Sequence, residues 1–493
     1  MRSPTVFVAL LALSTCVFGT GWDGQQMVNR PDADTAEGQP CIALDSAGCP
    51  WIDWDRNCTD TTMLYTRWQG SRWDEQSGAG ANAPGVAVRL RPSICFDSRG
   101  RAWLAWHNVH SNDRRDIAAC HWDDSLWTPE QHVSPPESTD RYFAPKVSCG
   151  GGQVWCVWYG GPSDGLPYSV FASRWDSLKG SWTPETRVSP PDSNHHWWCD
   201  VAVDSVGTPH VVWCTHPLYT VFYSYFDGQQ WVEPIPVNDT TQVTASPWAS
   251  PRIVIDRTGV MHLCFTGARV GASHRDIFYT RNDVSGWAPC QMVTRDSLYD
   301  EWYSDIAANR PDNVWVVWNR QNEGSDQFRV YASHWDGTAW SFEQRLDDTT
   351  SYYDFDPVVC LDDDGYPWVV WSGTTYGATD DVYYNRYMSH GSLVGGPHGA
   401  CGRAFTLAVT SPARHGIRFS FSIAQNGRVG LVVYDVLGRC IKRVVDGVLP
   451  AGQHSAVWNR RMADGEPAPA GAYIGRLDAA GCVAKCRFTL VSD

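Results

Sequence analysis

The chain has 493 residues, 43% of them hydrophobic, with 27 tryptophans and a net charge of −15. That is enough apolar material for more than one core. Residues 401–493 hold 12 Lys+Arg against 6 Asp+Glu, a net of +6, which leaves −21 on the rest. So acidic a body excludes nucleic acid or an anionic membrane as the main partner.

In chain order, residues 1–19 read as a secretory signal peptide: Arg2, the apolar run VFVALLAL, then Val17 and Gly19 as small residues at −3 and −1. The run is too short to cross a bilayer, and no other apolar stretch suggests a transmembrane segment. Secretion or display on a bacterial surface is expected.

Residues 20–390 carry an internal repeat. Its clearest copy, Ser304 to Leu346, reads as four short strands: SDIAA, VWVVW, FRVYASHW and WSFEQRL, bounded by Asn, Asp and Gly. Aligned on the last Trp of the second strand, the copies are anchored at Trp54, Trp106, Trp158, Trp213, Phe265, Trp318 and Trp371, 52–55 residues apart. Nine residues before the anchor stand Asp45, Asp97, Asp204, Asp256, Asn309 and Asp362, with Cys149 breaking the series; fourteen before it stand Pro40, Pro92, Pro251 and Pro357. The fourth strand opens at Trp73, Trp127, Trp182, Trp231, Trp287 and Trp340. Four strands every ~50 residues is the mark of a β-propeller. The last copy lacks a fourth strand, whereas residues 22–28, WDGQQMV, match one. The expectation is a seven-bladed β-propeller whose last blade is completed by that N-terminal strand, leaving no open sheet edge.

A Gly-rich linker, 391–404, leads to a tail, 405–493, of alternating runs such as HSAVW and AYIGRL between Gly/Pro turns. The tail reads as a small Ig-like β-sandwich, so the whole chain is expected to be all-β. Cysteines on inner strands, Cys41, Cys95, Cys199 and Cys360, read as buried free thiols. In the tail, Cys440 with Cys482 or Cys486 is the expected bridge.

Connector length varies on one face of the repeat, the usual binding face. Its between-copy loops carry Tyr142, Phe143, His196, Trp197, Trp198, Trp248, Trp302, Tyr303 and Tyr353; just past the anchors stand Asp55, Arg56, His107, Asn319 and Arg320. Aromatic walls with a few polar groups suit a sugar: rings stack on its apolar faces and polar groups take its hydroxyls. The alternative for such residues is packing between blades. No cofactor or metal motif is present, and Asp362-Asp363-Asp364-Gly365 reads as a hairpin turn.

The strand pair D-x-x-G-x-x-W-x-x-W and the WDG-x-x-W turn make the repeat resemble sialidase-like and BNR-repeat propellers over about 350 residues. Ser333-His-Trp-Asp336-Gly337-Thr-Ala-Trp340 departs from the family's Asp-box by moving the Asp one place. If the resemblance extended to sialidase-type hydrolysis, it would imply Arg56, Arg320, Glu301, Tyr303 and Asp55 as catalytic candidates. Such chemistry needs paired carboxyl-type groups. The segments Val433-Tyr-Asp-Val-Leu-Gly-Arg439, Leu449 to His454 and Pro469 to Tyr473 resemble the FlgD-type Ig-like domain. That resemblance implies a C-terminal sorting module of type IX secretion and hence contact with export machinery. The sequence thus points to a monomeric, non-catalytic recognition protein for a glycan or a surface protein. A sialidase-type hydrolase and a purely structural surface protein are the alternatives.

Overall fold

A computed structural model of the protein describes residues 22–29, 36–57, 63–70, 72–79, 86–163, 165–246, 249–283, 286–295, 299–321, 327–348, 351–375, 380–387, 406–409, 417–423, 426–435, 439–462, 466–479 and 482–490. The expected signal peptide, the linker and Trp248 lie outside these residues. The chain divides into two compact units, 24–387 and 388–493 with 1–23. Both are all-β, without a helix among the described residues.

The larger unit is a β-propeller. In its first repeat, Ala36–Leu44, Pro50–Asn57, Met63–Arg67 and Ser77–Ala79 pair antiparallel in chain order. The pattern recurs in sheets whose inner strands include Val86–Phe96, Arg141–Gly150, His195–Val203, Arg252–Ile255, Asp300–Arg310 and Ser351–Leu361. The final sheet takes its outer strand from the other end of the unit: in Gln26–Met27, Gln26 lies opposite Tyr384 and Met27 opposite Tyr383.

One polar latch identifies Gln26–Met27 as a fourth strand. In successive sheets a side chain just past the fourth strand accepts the N–H of a third-strand residue. The pairs are Ser134 with Ile117 (2.9 Å), Ser189 with Val170 (3.0 Å), Asn238 with Val221 (2.7 Å), Thr294 with Ile277 (3.3 Å) and Asp347 with Val330 (2.9 Å). Asn29 does the same for Val382 at 2.9 Å.

The repeated tryptophans weld neighbouring sheets. All seven anchors are fully buried; Trp54, Trp106, Trp158 and Trp318 cluster with the preceding repeat, as Trp106 does with Cys41, Trp51 and Met63. The Trp that opens each fourth strand also packs backwards. Trp182 meets Trp103 at 5.9 Å, Trp231 meets Trp155 at 5.9 Å, Trp340 meets Tyr279 at 5.1 Å, and Trp73 meets Tyr384 at 5.2 Å. Mostly edge-to-face, these are the favoured aromatic arrangements. The Asp nine residues before the anchor is structural too. Asp97 Oδ1 accepts the N–H groups of Arg99 and Arg101, closing the hairpin turn, and its Oδ2 accepts Trp103 Nε1 at 3.1 Å.

Where Cys149 replaces that Asp, it forms a disulfide with Cys95. Cys95 is therefore not the free thiol expected; Cys41, Cys199 and Cys360 are free.

The smaller unit has two antiparallel sheets. Thr406–Val409, Ile417–Ile423 and Gly452–Trp458 form one; Cys440–Leu449, Gly427–Asp435, Gly471–Ala479 and Cys482–Leu490 form the other, in that order. Phe419, Phe421, Leu431, Trp458 and Leu477 belong to its core. The strands carrying Cys440 and Cys482/Cys486 lie at opposite edges of one sheet. The side chains of these cysteines lie outside what the structure describes, and with them the expected bridge.

Candidate functional site

The inner strands position the site. In each repeat, one inner-strand residue is left-handed: Gln39, Arg91, Ala144, Trp198, Ser250, Tyr303 and Asp356, with φ between 40° and 55°. None is glycine, so each is strained by about 1–3 kcal/mol. In six repeats the register slips at this point, as between Leu90 and Ser93; such a bulge re-aims a side chain. In five repeats proline follows (Pro40, Pro92, Pro145, Pro251, Pro357), which removes a ladder N–H.

The neighbouring repeat holds several of these residues in place. The residue after its anchor accepts the left-handed residue's N–H: Asp55 takes Arg91 at 3.2 Å, Asn319 takes Asp356 at 3.0 Å, and Ser372 takes Gln39 at 2.9 Å. The last contact joins the final repeat to the first.

These residues converge on an open pocket of about 460 Å³, partly continuous with solvent, at the centre of the ring. Gln39, Arg91, Ser250, Tyr303 and Asp356 line it, together with Lys146 and Arg252, which lie two residues beyond the bulge of their own repeats. Arg252 Nε pairs with Asp305 at 3.4 Å. Asp200 and Asp305 are further engaged by the N–H groups of Ile253 (2.9 Å) and Val359 (2.8 Å). Among the described residues, Arg91 and Lys146 have no carboxylate within ion-pair distance; the Arg91 guanidinium instead lies over the Trp198 ring at 5.0 Å. Burial, then the nearby Arg252, pushes the Lys146 ammonium below the ordinary lysine range. Burial, reinforced by Asp356, raises the Tyr303 phenol. The pocket thus offers two uncommitted cations, a neutral phenol, an amide, a hydroxyl and one carboxylate.

Of the five catalytic candidates, only Tyr303 lines this pocket. Arg320 is buried and tied to Glu301 (2.6 Å) and Glu343 (2.6 Å). Burial raises Glu301 to about 8, with Arg320 opposing. Arg56 lies 3.4 Å from Glu37, which also accepts Trp54 Nε1 at 2.8 Å. Asp55 is buried beneath the bulge, and burial lifts its carboxyl to about 8.

Among the ligand-binding candidates, three are core residues. Tyr142 packs on Trp158 at 6.3 Å and bonds Ser138. His196 accepts Trp213 Nε1 at 3.0 Å and meets Asp192 at 2.9 Å. His107 is buried, and burial with Arg91 and Arg115 drives its pKa to about 3. Asn319 is a buried latch, bonding Asp354 and Asp356, and Arg320 is spent in its ion pairs. Trp198 is a bulge residue beneath Arg91. Phe143, Trp197, Trp302 and Tyr353 are half-buried. Trp302 lies under Arg275 at 4.1 Å, and Tyr353 meets Phe355 at 5.2 Å.

Sequence reasoning missed Gln39, Lys146, Ser250, Arg252 and Asp356 as pocket residues and gave Arg91 no such role. The signal that finds the ring is the proline recurring fourteen residues before the anchor: the residue preceding it faces the axis.

No family model matches this chain, and no curated protein matches it. Solved structures do. An ulvan lyase of polysaccharide lyase family PL25 has a TM-score of 0.50 at 10% identity, covering 71% of this chain and 94% of its own. The α-L-arabinofuranosidase Arb93A of Fusarium graminearum has a TM-score of 0.46 at 11% identity, covering 74% of this chain and 97% of its own. The NanB sialidase of Streptococcus pneumoniae has a TM-score of 0.41 at 11% identity, covering 74% and 70%. At 10% identity the likeness to the ulvan lyase is one of fold.

Proposed function

We propose that the protein is a secreted, seven-bladed β-propeller that recognises an acidic glycan at its axial mouth. The observation that carries this reading is the ring of strained inner-strand residues around a polar pocket with two unpaired cations, Arg91 and Lys146. Strain held by neighbouring residues is a common feature of binding sites, and an unpaired cation in a pocket calls for an anionic ligand group. A glycan is favoured over a protein by the pocket's concave, hydroxyl- and amide-bearing lining. The ulvan lyase of similar fold, described as bound to -[GlcA(1-4)Rha3S]-, is in keeping with it. The reading includes export through residues 1–19. It also includes a FlgD-type Ig-like role for the C-terminal unit in sorting, supported by its two packed sheets and its Gly/Pro-turn motifs.

Incubating the full mature chain with a glycan array, scored for retained protein and for loss of sugars, tests this. Retention on carboxylate- or sulfate-bearing glycans, with sugars intact, is the expected result. Retention only on neutral glycans, or none, would overturn it. Loss of terminal sugars would favour the sialidase-type alternative, with Tyr303 and Asp356 as the groups to examine.

A further inference from the structure

Outside the axial pocket, aromatic side chains form a continuous path over the third and fourth repeats. It begins at Trp198, which carries Arg91 on one side and meets Tyr159 at 5.7 Å. Tyr159 meets Tyr168 at 6.0 Å, Tyr168 meets Trp197 at 6.5 Å, Trp197 meets His216 at 6.2 Å, and His216 meets Tyr219 at 5.3 Å. Exposure rises along it: Tyr159 is 7% exposed, Tyr168 and Trp197 are half-buried, and Tyr219 is 38% exposed. No other repeat places a tyrosine where Tyr159 stands; its equivalents are Asp55, His107, Cys214, Thr266, Asn319 and Ser372. The path is therefore an addition to the repeat and not a consequence of it.

We infer that this path is an extension subsite, and that the ligand is an oligosaccharide whose acidic residue sits in the axial pocket while neighbouring sugar rings stack outward over the third and fourth repeats. The inference rests on the proposed function and adds the length and direction of the ligand. Three observations support it. The path joins the axial pocket directly, through the contact of one of its cations, Arg91, with Trp198. Its outer rings are half-exposed, as a stacking platform requires. None of its rings belongs to an acidic residue, and among the described residues Asp192, in the loop that precedes Trp197, is bonded to His196 and Asn194.

The test uses the full mature chain and three oligosaccharide series: galacturonate (carboxylate), κ-carrageenan (sulfate ester) and cellulose fragments (neutral). Each is titrated calorimetrically at two and six residues. At least one acidic series is expected to bind at least tenfold more tightly at six residues than at two. Tyr219→Ala, an exposed change, and Trp197→Ala are each expected to remove about tenfold of that gain, a worth of about 1.4 kcal/mol, while leaving dimer affinity unchanged. Unfolding midpoints confirm that both variants fold, and Tyr219→Ala alone suffices if Trp197→Ala does not. Equal affinity for dimer and hexamer, with acidic binding intact, would overturn the extension subsite and spare the axial site. Tighter binding of the cellulose series, or no binding in any series, would overturn both.

Discussion

Replacing Asp53 with valine is expected to stabilise the protein. Asp53 stands one residue before its anchor, fully buried between the first and second repeats, and neither carboxyl oxygen has a hydrogen-bond partner. The equivalent residues are Ala105, Val157, Val212, Cys264, Val317 and Val370, so the fold asks for a small apolar side chain there. Leaving a polar group buried and unsatisfied costs about 1–3 kcal/mol; Asp53→Val should recover that much at low pH and more at neutral pH. The effect must also depend on pH. Burial holds the Asp53 carboxyl well above the ordinary range, so the folded state keeps a proton that the unfolded chain gives up. That contribution is intact below the unfolded carboxylate value, about 3.9. It is lost at about 1.4 kcal/mol per pH unit as pH rises towards the folded-state value. Urea unfolding at pH 5 and pH 8 should therefore give a larger valine-minus-wild-type difference at pH 8. A destabilised valine variant, or a difference that shrinks as pH rises, would mean that Asp53 is paired in solution.

Deleting residues 22–29 is expected to have the largest destabilising effect. Without Gln26–Met27 the strand Asp381–Arg386 becomes an open edge, which invites association with other chains. Val28 N–H would no longer meet Val382 O at 2.8 Å, nor Asn29 Nδ2 meet Asp381 Oδ1 at 2.8 Å. A milder test is Asn29→Ala, which leaves the Val382 N–H and Asp381 without these buried partners. It should cost about 2–6 kcal/mol, from two groups at about 1–3 kcal/mol each. Sedimentation and thermal unfolding separate the outcomes. A deletion variant that stays monomeric with an unchanged midpoint would mean that the ring does not depend on its N-terminal strand.

The fold was legible because its determinants are periodic residue types. The anchor tryptophans, the fourth-strand tryptophans and the turn aspartates each recur at one spacing, and each does one mechanical job. The site was less legible because its determinant is a backbone conformation. Gln, Arg, Ala, Trp, Ser, Tyr and Asp all occupy the left-handed position, so no residue type marks it. Strand alternation accounts for the core candidates. Tyr142, His196 and Glu301 stand two residues before the bulge and point into the sheet packing, whereas Phe143, Trp197 and Trp302, one residue on, reach the surface. The Cys95 pairing was hidden by its likeness to Cys360; the clue lay in its partner, Cys149, the residue that breaks the aspartate series.

The most direct test of the axial site is calorimetric titration of the acidic hexamer that binds wild type, hexagalacturonate or the κ-carrageenan hexamer, into wild type and Lys146→Met. The substitution keeps most of the side-chain volume and removes one uncommitted cation. A hydrogen bond to a charged group is worth about 1.5–3 kcal/mol, so binding should weaken at least tenfold, with the unfolding midpoint unchanged or raised. Unchanged affinity would contradict the account, because the anion would then be bound elsewhere on the protein.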